Sequence, residues 1–223
     1  MAIFYIVISA LFWTLLQLSA VLLWAAAFLT ALVPIYGGRI FYSLVRSLCL
    51  LLFATFNIRI DISGENDIPA KGRLIVVANH PGLLDQLYLI NIFPRRLFFV
   101  ADEGMLKLAF LGRIIKTMGS ISYPRKKEES FRLAIGLNNL LMREDATLIF
   151  IDKKTNIGSI VKLSVSRGAP IIPLFISGSE KVLPKGSLLV HPGEIKVNIH
   201  PPLKPAPGRE LEAIDKIFNI FNS

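Results

Sequence analysis

The sequence predicts an α/β fold: a mixed, mostly parallel sheet covered by helices, preceded by an N-terminal hydrophobic helical membrane segment. Three observations carry this. The first 38 residues hold no charged side chain, and the first acidic residue is Asp61. Beyond Asn57, short runs rich in β-branched and aromatic residues alternate with stretches of helical periodicity, as in a sheet whose strands are joined by covering helices. The 223 residues suffice for one core and an appendage,. With 53% hydrophobic and 18% charged residues and a mean hydropathy of +0.56, a disordered chain and an ordinary water-soluble globule are both excluded.

Taken in order, Ala2 to Val33 is almost wholly apolar, and as a helix rising 1.5 Å per residue it exceeds the roughly 30 Å hydrocarbon core of a bilayer. It lacks the positive leader and the short apolar core, about 7–15 residues, of a cleaved signal, so it reads as a retained anchor. Pro34-Ile35-Tyr36-Gly37-Gly38 breaks that helix. The second apolar stretch, Ile40–Phe56, has Arg39 at its edge and Arg46 within it. At roughly 17 residues it is marginal as a span, and it reads as an interfacial helix whose guanidinium groups snorkel toward headgroups. Residues 1–56 thus form a membrane anchor, a spanning helix plus an interfacial helix, and 57–223 form the α/β domain. The positive excess puts that domain on the cytoplasmic face with Met1 opposite; a hairpin that returns is the alternative.

Within the domain the predicted strands are Ile58–Ile62, Leu74–Ala78, Leu97–Ala101, Ser120–Tyr123, Thr147–Ile151, Ile171–Ile176, Ser187–Val190 and Ile195–His200. The predicted helices are Leu84–Ile92, Met105–Thr117, Glu128–Met142, Ser159–Arg167 and Arg209–Phe221.

Twenty-five Lys and Arg against 16 Asp and Glu leave +9 and a pI near 9.8, so the partner is acidic. A phosphate-rich membrane surface satisfies both the charge and the apolar N-terminus. The basic doublets Arg95-Arg96, Lys126-Lys127 and Lys153-Lys154 lack the interleaved aromatics of a nucleic-acid surface. They read either as a solvated face or as a surface for anionic lipid or an acidic carrier protein. A single cysteine, Cys49, excludes an intrachain disulfide and any cysteine-based zinc site. The phosphate-binding GxxxxGK[ST], dinucleotide GxGxxG, hydrolase GxSxG and metalloprotease HExxH patterns are all missing.

Of three histidines, His191 and His200 sit at strand-ending turns and read as structural. His80 differs, because it directly follows the apolar run Leu74–Ala78 and so reaches the carboxyl end of a strand, where α/β sheets place their ligands. Asp85 falls in the first turn of the next helix. With Pro81-Gly82 turning the chain, its carboxylate can reach the imidazole. A His so held is a general base with its orienting partner; the bland alternative is a turn histidine beside an aspartate that favours the helix N-terminus.

The segment Asn79-His80-Pro81-Gly82-Leu83-Leu84-Asp85 resembles the Asn-His-x4-Asp motif of the glycerophospholipid acyltransferases related to 1-acylglycerol-3-phosphate acyltransferase. Gly119-Ser120-Ile121-Ser122-Tyr123-Pro124-Arg125 is similar to that family's second block, and Ala169-Pro170-Ile171-Ile172-Pro173-Leu174 to its fourth. The third block, Phe-Pro-Glu-Gly-Thr-Arg-Ser in the family, stands here as Phe150-Ile151-Asp152-Lys153-Lys154-Thr155-Asn156: Phe150 remains, Asp152 stands in for the glutamate, and the proline, glycine and arginine are gone. The resemblance implies transfer of a fatty acyl group from acyl-CoA or acyl carrier protein to a hydroxyl of 1-acylglycerol-3-phosphate or a related specialised lipid. His80 and Asp85 would be catalytic, and Asn79, Gly82, Arg125, Asp152, Lys153, Lys154 and Pro173 would contact substrate. No metal or bound cofactor is implied, and the partners are membrane lipids, the acyl donor and other enzymes of a lipid pathway. A non-catalytic lipid-binding subunit and a thioester hydrolase using the same two residues are the alternatives.

Overall fold

A computed structural model describes residues 2–33, 36–102, 107, 109–123, 130–142, 145–151, 155–184 and 186–222. Two apolar helices come first, α1 (Ala2–Ala31) and α2 (Gly37–Thr55). The strands are β1 (Ile58–Ser63), β2 (Leu74–Ala78), β3 (Leu97–Asp102), β4 (Ile121–Tyr123), β5 (Ala146–Phe150), β6 (Ile171–Ser177) and β7 (Gly193–Ile199). Between and after them lie α3 (Asp85–Ile92), α4 (Ala109–Thr117), α5 (Ser130–Met142), α6 (Ile157–Arg167), the single turn α7 (Ser179–Val182) and α8 (Glu210–Asn222).

The strands form one seven-stranded sheet in the order β1-β7-β6-β2-β5-β3-β4. From β6 through β4 all neighbours run parallel, and β7 turns back antiparallel against β6 with β1 parallel beside it. The mixed, mostly parallel sheet expected from the sequence is therefore present. Strand β2 lies mid-sheet between β5 and β6 and is buried throughout, which explains its unbroken run Leu-Ile-Val-Val-Ala.

The period of two along β2 sorts the two layers. Leu74, Val76 and Ala78 face a core shared with α1, α2 and α3, including Phe12, Phe41, Leu52, Phe53 and Tyr88. Ile75 and Val77 face the opposite core, with Ile160 and Val161 of α6 and Ala213 and Ile217 of α8.

Helices α1 and α2 form an antiparallel pair along the first layer. Their corner is tight, because Gly37 packs so close to the Thr30 carbonyl that a Cβ there would overlap it. Helix α1 touches the α/β layer near both of its ends. At the start, Trp13 Nε1 donates to the Leu188 carbonyl at 2.7 Å, the Val190 N–H donates to Ser9 Oγ at 2.8 Å, and the Tyr5 ring meets His191 at 4.7 Å. Toward its end, the Arg113 guanidinium of α4 lies over the Phe28 ring at 4.4 Å. Both helices are long and apolar enough to cross a membrane. Their outward faces still expose Ile3, Val7, Leu11, Leu18, Leu22 and Leu29 on α1 and Ile40, Leu44, Leu50 and Leu51 on α2.

Ser187–Val190, expected as a strand, is not one: it is a loop pinned by Ser9 and Trp13. Its apolar composition serves contact with α1, and its backbone groups bond to those side chains instead of a ladder. The predicted starts of the helices at Met105 and Glu128 lie outside the described residues.

Candidate active site

The site grows from the carboxyl end of β2. One residue past the strand, the Asn79 side chain takes over the ladder: its Nδ2 donates to the Ile176 carbonyl and its Oδ1 accepts the Ile176 N–H, both at 2.7 Å. An amide carries one donor face and one acceptor face, so it substitutes for a backbone unit and ties the loop to β6. His80 follows with its ring stacked on Phe150, at the end of β5, with 4.2 Å between centroids. Neighbouring parallel strands thus orient the imidazole from two sides.

Asp85 opens α3 and is completely buried, whereas the His80 side chain is 27% exposed. Their contact is His80 Nδ1 to Asp85 Oδ2 at 2.7 Å. The Gly82 N–H donates to the same oxygen at 3.0 Å, and the Tyr88 hydroxyl donates to Oδ1 at 2.9 Å. Both carboxylate oxygens therefore face donors, which is how a buried aspartate is made tolerable. An oxygen that accepts from Gly82 takes its second hydrogen bond from Nδ1–H, which leaves the lone pair on Nε2. Among the described residues His80 makes no other hydrogen bond. Burial first, and then the Asp85 charge, push the Tyr88 phenol far above its ordinary value, so it remains a neutral donor.

The turn closes because residue 82 is glycine. A Cβ there would lie 2.7 Å from Ser179 Oγ and 2.8 Å from the Ser179 carbonyl oxygen, so the loop presses directly on the backbone of α7. Gly82 also forms an isolated bridge with Pro184.

Of the residues assigned by resemblance, His80 and Asp85 are brought together. Asn79 and Gly82 lie beside them, their polar groups engaged by β6 and by Asp85. Pro173 is elsewhere, buried inside β6 opposite Val77. Its carbonyl accepts the His200 N–H at 2.9 Å, and the N–H that proline lacks would point to that same flank, beyond Ile199 where β7 ends,. It fits the sheet there and does not reach the loop. Arg125, Asp152, Lys153 and Lys154 lie outside the described residues. Tyr88 was not foreseen, although its position one helical turn after Asp85 is the signal that could have found it.

A family model described as Acyltransferase matches residues 59–177, more than half of the sequence. The chain belongs to the acyltransferase family. Among curated acyltransferases, that of Borreliella burgdorferi, a 1-acyl-sn-glycerol-3-phosphate acyltransferase, is 22% identical over 73% of this chain and 69% of its own length. The chloroplastic 1-acyl-sn-glycerol-3-phosphate acyltransferase of Brassica napus is 25% identical over 73% of this chain and 51% of its length. The human alpha enzyme of the same name is 22% identical over 72% and 60%. This acyltransferase chain therefore spans between half and about two thirds of those relatives. The crystal structure of the 1-acyl-sn-glycerophosphate acyltransferase PlsC from Thermotoga maritima superposes with a TM-score of 0.79 at 19% identity, covering 99% of this chain and 95% of that one. The fold is shared along the whole length, the two N-terminal helices included.

Proposed function

We propose that the chain transfers a fatty acyl group from a thioester, on coenzyme A or acyl carrier protein, to the hydroxyl of a lysophospholipid-like acceptor in the membrane. The observation that carries this is the 2.7 Å contact of the partly exposed His80 with the buried Asp85; the family and the names of the relatives support it. His80 Nε2 takes the acceptor's hydroxyl proton as that oxygen attacks the thioester carbonyl. Asp85 holds the ring in the required tautomer and stabilises the imidazolium that forms. Collapse of the tetrahedral intermediate expels the thiolate, which takes the proton back from His80. Arg125 remains the candidate for steadying the oxyanion, and Asp152, Lys153 and Lys154 for the acceptor headgroup. Neither a metal nor a bound cofactor enters the scheme.

The acceptor reaches His80 from the bilayer. The outward apolar faces of α1 and α2 support membrane association, and the contacts near both ends of α1 favour a hairpin lying along the domain over a span that leads away from it. Leu83 in the dyad loop is exposed, as are Leu188 and Leu189 in the loop that Trp13 of α1 grips. We place the domain on the cytoplasmic side.

The test is acyl transfer by the purified full-length chain in lipid, read as free thiol released and acylated lipid formed, with lysophosphatidic acid beside a lyso-lipid lacking the phosphomonoester. His80→Ala should lower turnover by about 10²–10⁴-fold. Thiol release without acylated lipid would select hydrolysis instead, and no thiol release with any acceptor would select a non-catalytic subunit. Near-normal transfer by folded His80→Ala would overturn the mechanism.

A further inference from the structure

The two edges of the sheet differ. At one, β4 is only three residues long. At the other, β1 runs in unbroken register with β7, from Ile58 opposite Gly193 to Ser63 opposite Asn198. It has neither the proline nor the bulge that commonly blunts an edge,. Every second residue of such a strand turns its N–H and C=O away from its one neighbour. Among the described residues, none outside the sheet bonds to the backbone of β1.

The two faces of β1 have opposite character. Ile58 belongs to the core shared with α1 and α2, and Ile60 and Ile62 pack half-buried against it. Arg59, Asp61 and Ser63 stand exposed on the other face, beside the exposed Glu194, Lys196 and Asn198 of β7. Charge alternates there in both directions: Arg59 lies opposite Glu194, Asp61 opposite Lys196, and Lys196 Nζ is 3.9 Å from Glu194 Oε2.

We propose that β1 pairs antiparallel with β1 of a second copy of this chain, about a two-fold axis through Ile60. The pattern Ile58-Arg59-Ile60-Asp61-Ile62 is self-complementary on that axis. Ile60 meets its counterpart, Ile58 of each copy meets Ile62 of the other, and Arg59 of each faces Asp61 of the other. A row across both copies then reads Glu194, Arg59, Asp61, Lys196, with signs alternating throughout. Opposite residues of an antiparallel pair share a face, so the nearest competing registers centre on Arg59 or on Asp61, and each sets like charge against like. The charges of this edge thus disfavour mispairing and select a second copy in one register. Because the axis is normal to the sheet, both α1–α2 hairpins fall on one side of the joined sheet and can enter a single bilayer. That consequence rests on the membrane association proposed above; the pairing itself does not.

The test is the association state of the full-length chain in micelles of an uncharged detergent, measured by sedimentation at increasing protein concentration. The wild type should dimerise. Arg59→Glu sets acidic side chains against each other across the axis and Asp61→Lys sets basic ones, so each variant alone should weaken the dimer about tenfold or more. Mixed, the two variants are complementary again and should form a heterodimer of nearly wild-type affinity. Oxidation checks the register in a Cys49→Ala background. Ile60→Cys should crosslink, because opposite Cα atoms lie about 4.5–5.5 Å apart. Ile62→Cys should not, since its two copies would be about 14 Å apart. If either cysteine variant fails to fold, the exposed charge variants decide. A wild type that stays monomeric up to about 0.1 mM, mixed variants that remain apart, or equal crosslinking in the Ile60→Cys and Ile62→Cys proteins would each overturn the proposal. Acyl transfer is not read in these experiments, so their failure leaves the proposed activity untouched.

Discussion

Asp85 accepts hydrogen bonds from His80, Gly82 and Tyr88, and the three donors arrive by different routes. His80 and Gly82 were within reach of sequence reasoning, because a strand end, a Pro-Gly turn and a helix start confine them locally. Tyr88 was not, since nothing in the order of residues says which buried hydroxyl a carboxylate will recruit. Removing it separates its role from that of His80. Tyr88→Phe keeps the ring and strips one donor from a buried carboxylate, which should cost about 1.5–3 kcal/mol of stability. It should also lower kcat by roughly three- to tenfold with KM little changed, as the imidazole loses part of its support. The sign of the pH effect follows from the raised phenol: unfolded tyrosine ionises near 10.0 while folded Tyr88 keeps its proton. Its stabilisation is complete below pH 10 and declines above it, by about 1.4 kcal/mol per pH unit. Denaturation between pH 9 and 11 should therefore show a shallower alkaline decline in Tyr88→Phe, and an identical slope would remove the phenol from the account.

At the scale of elements, the β2–loop–α3 unit was readable because its determinants are contiguous: five apolar residues, a turn and a helix start. The loop at Ser187–Val190 was misread for the opposite reason. Leu188, Leu189 and Val190 have strand-like composition, yet their partners are side chains of a helix about 180 positions earlier, and periodicity carries no information about that. Asn79, Gly82 and Pro173 make a related point, because residues characteristic of a family's motifs also have places in the fold that only the folded chain reveals. Here they continue a ladder, let two backbones touch, and fill a flank beyond a strand's end. Gly82 offers the sharpest check. In Gly82→Ala the new methyl meets the Ser179 backbone, which cannot yield as a flexible side chain would. The turn must shift, at a cost of about 1–3 kcal/mol, and the Gly82 donor to Asp85 shifts with it. Turnover should fall at least tenfold in a protein that still unfolds cooperatively. Wild-type kinetics in Gly82→Ala would mean that the loop is looser than its contacts imply.

For the molecule as a whole, the composition change near Asn57 suggested an anchor joined to a domain, whereas the packing runs straight through it. Phe12, Phe41, Leu52 and Phe53 share one buried cluster with Leu74, Leu97 and Val197. Sequence reasoning could size the two apolar helices but could not say where they return, since that depends on contacts far apart along the chain. Expression of residues 57–223 alone should expose that face of the sheet and yield insoluble protein, or protein without a cooperative unfolding transition. A soluble, active fragment would show that the hairpin is a detachable appendage.

The contacts of Ser9 with Val190 and of Trp13 with Leu188 span 181 and 175 positions, and this orders events during synthesis. The helix that carries Ser9 and Trp13 leaves the ribosome before the loop it grips, by roughly 9–35 s at 5–20 residues per second. Throughout that interval the first helix has no finished sheet to lie against. A bilayer offers its apolar side chains a waiting place that water does not, so under the membrane association proposed above insertion precedes docking, and the α/β layer assembles onto a helix already resting in lipid.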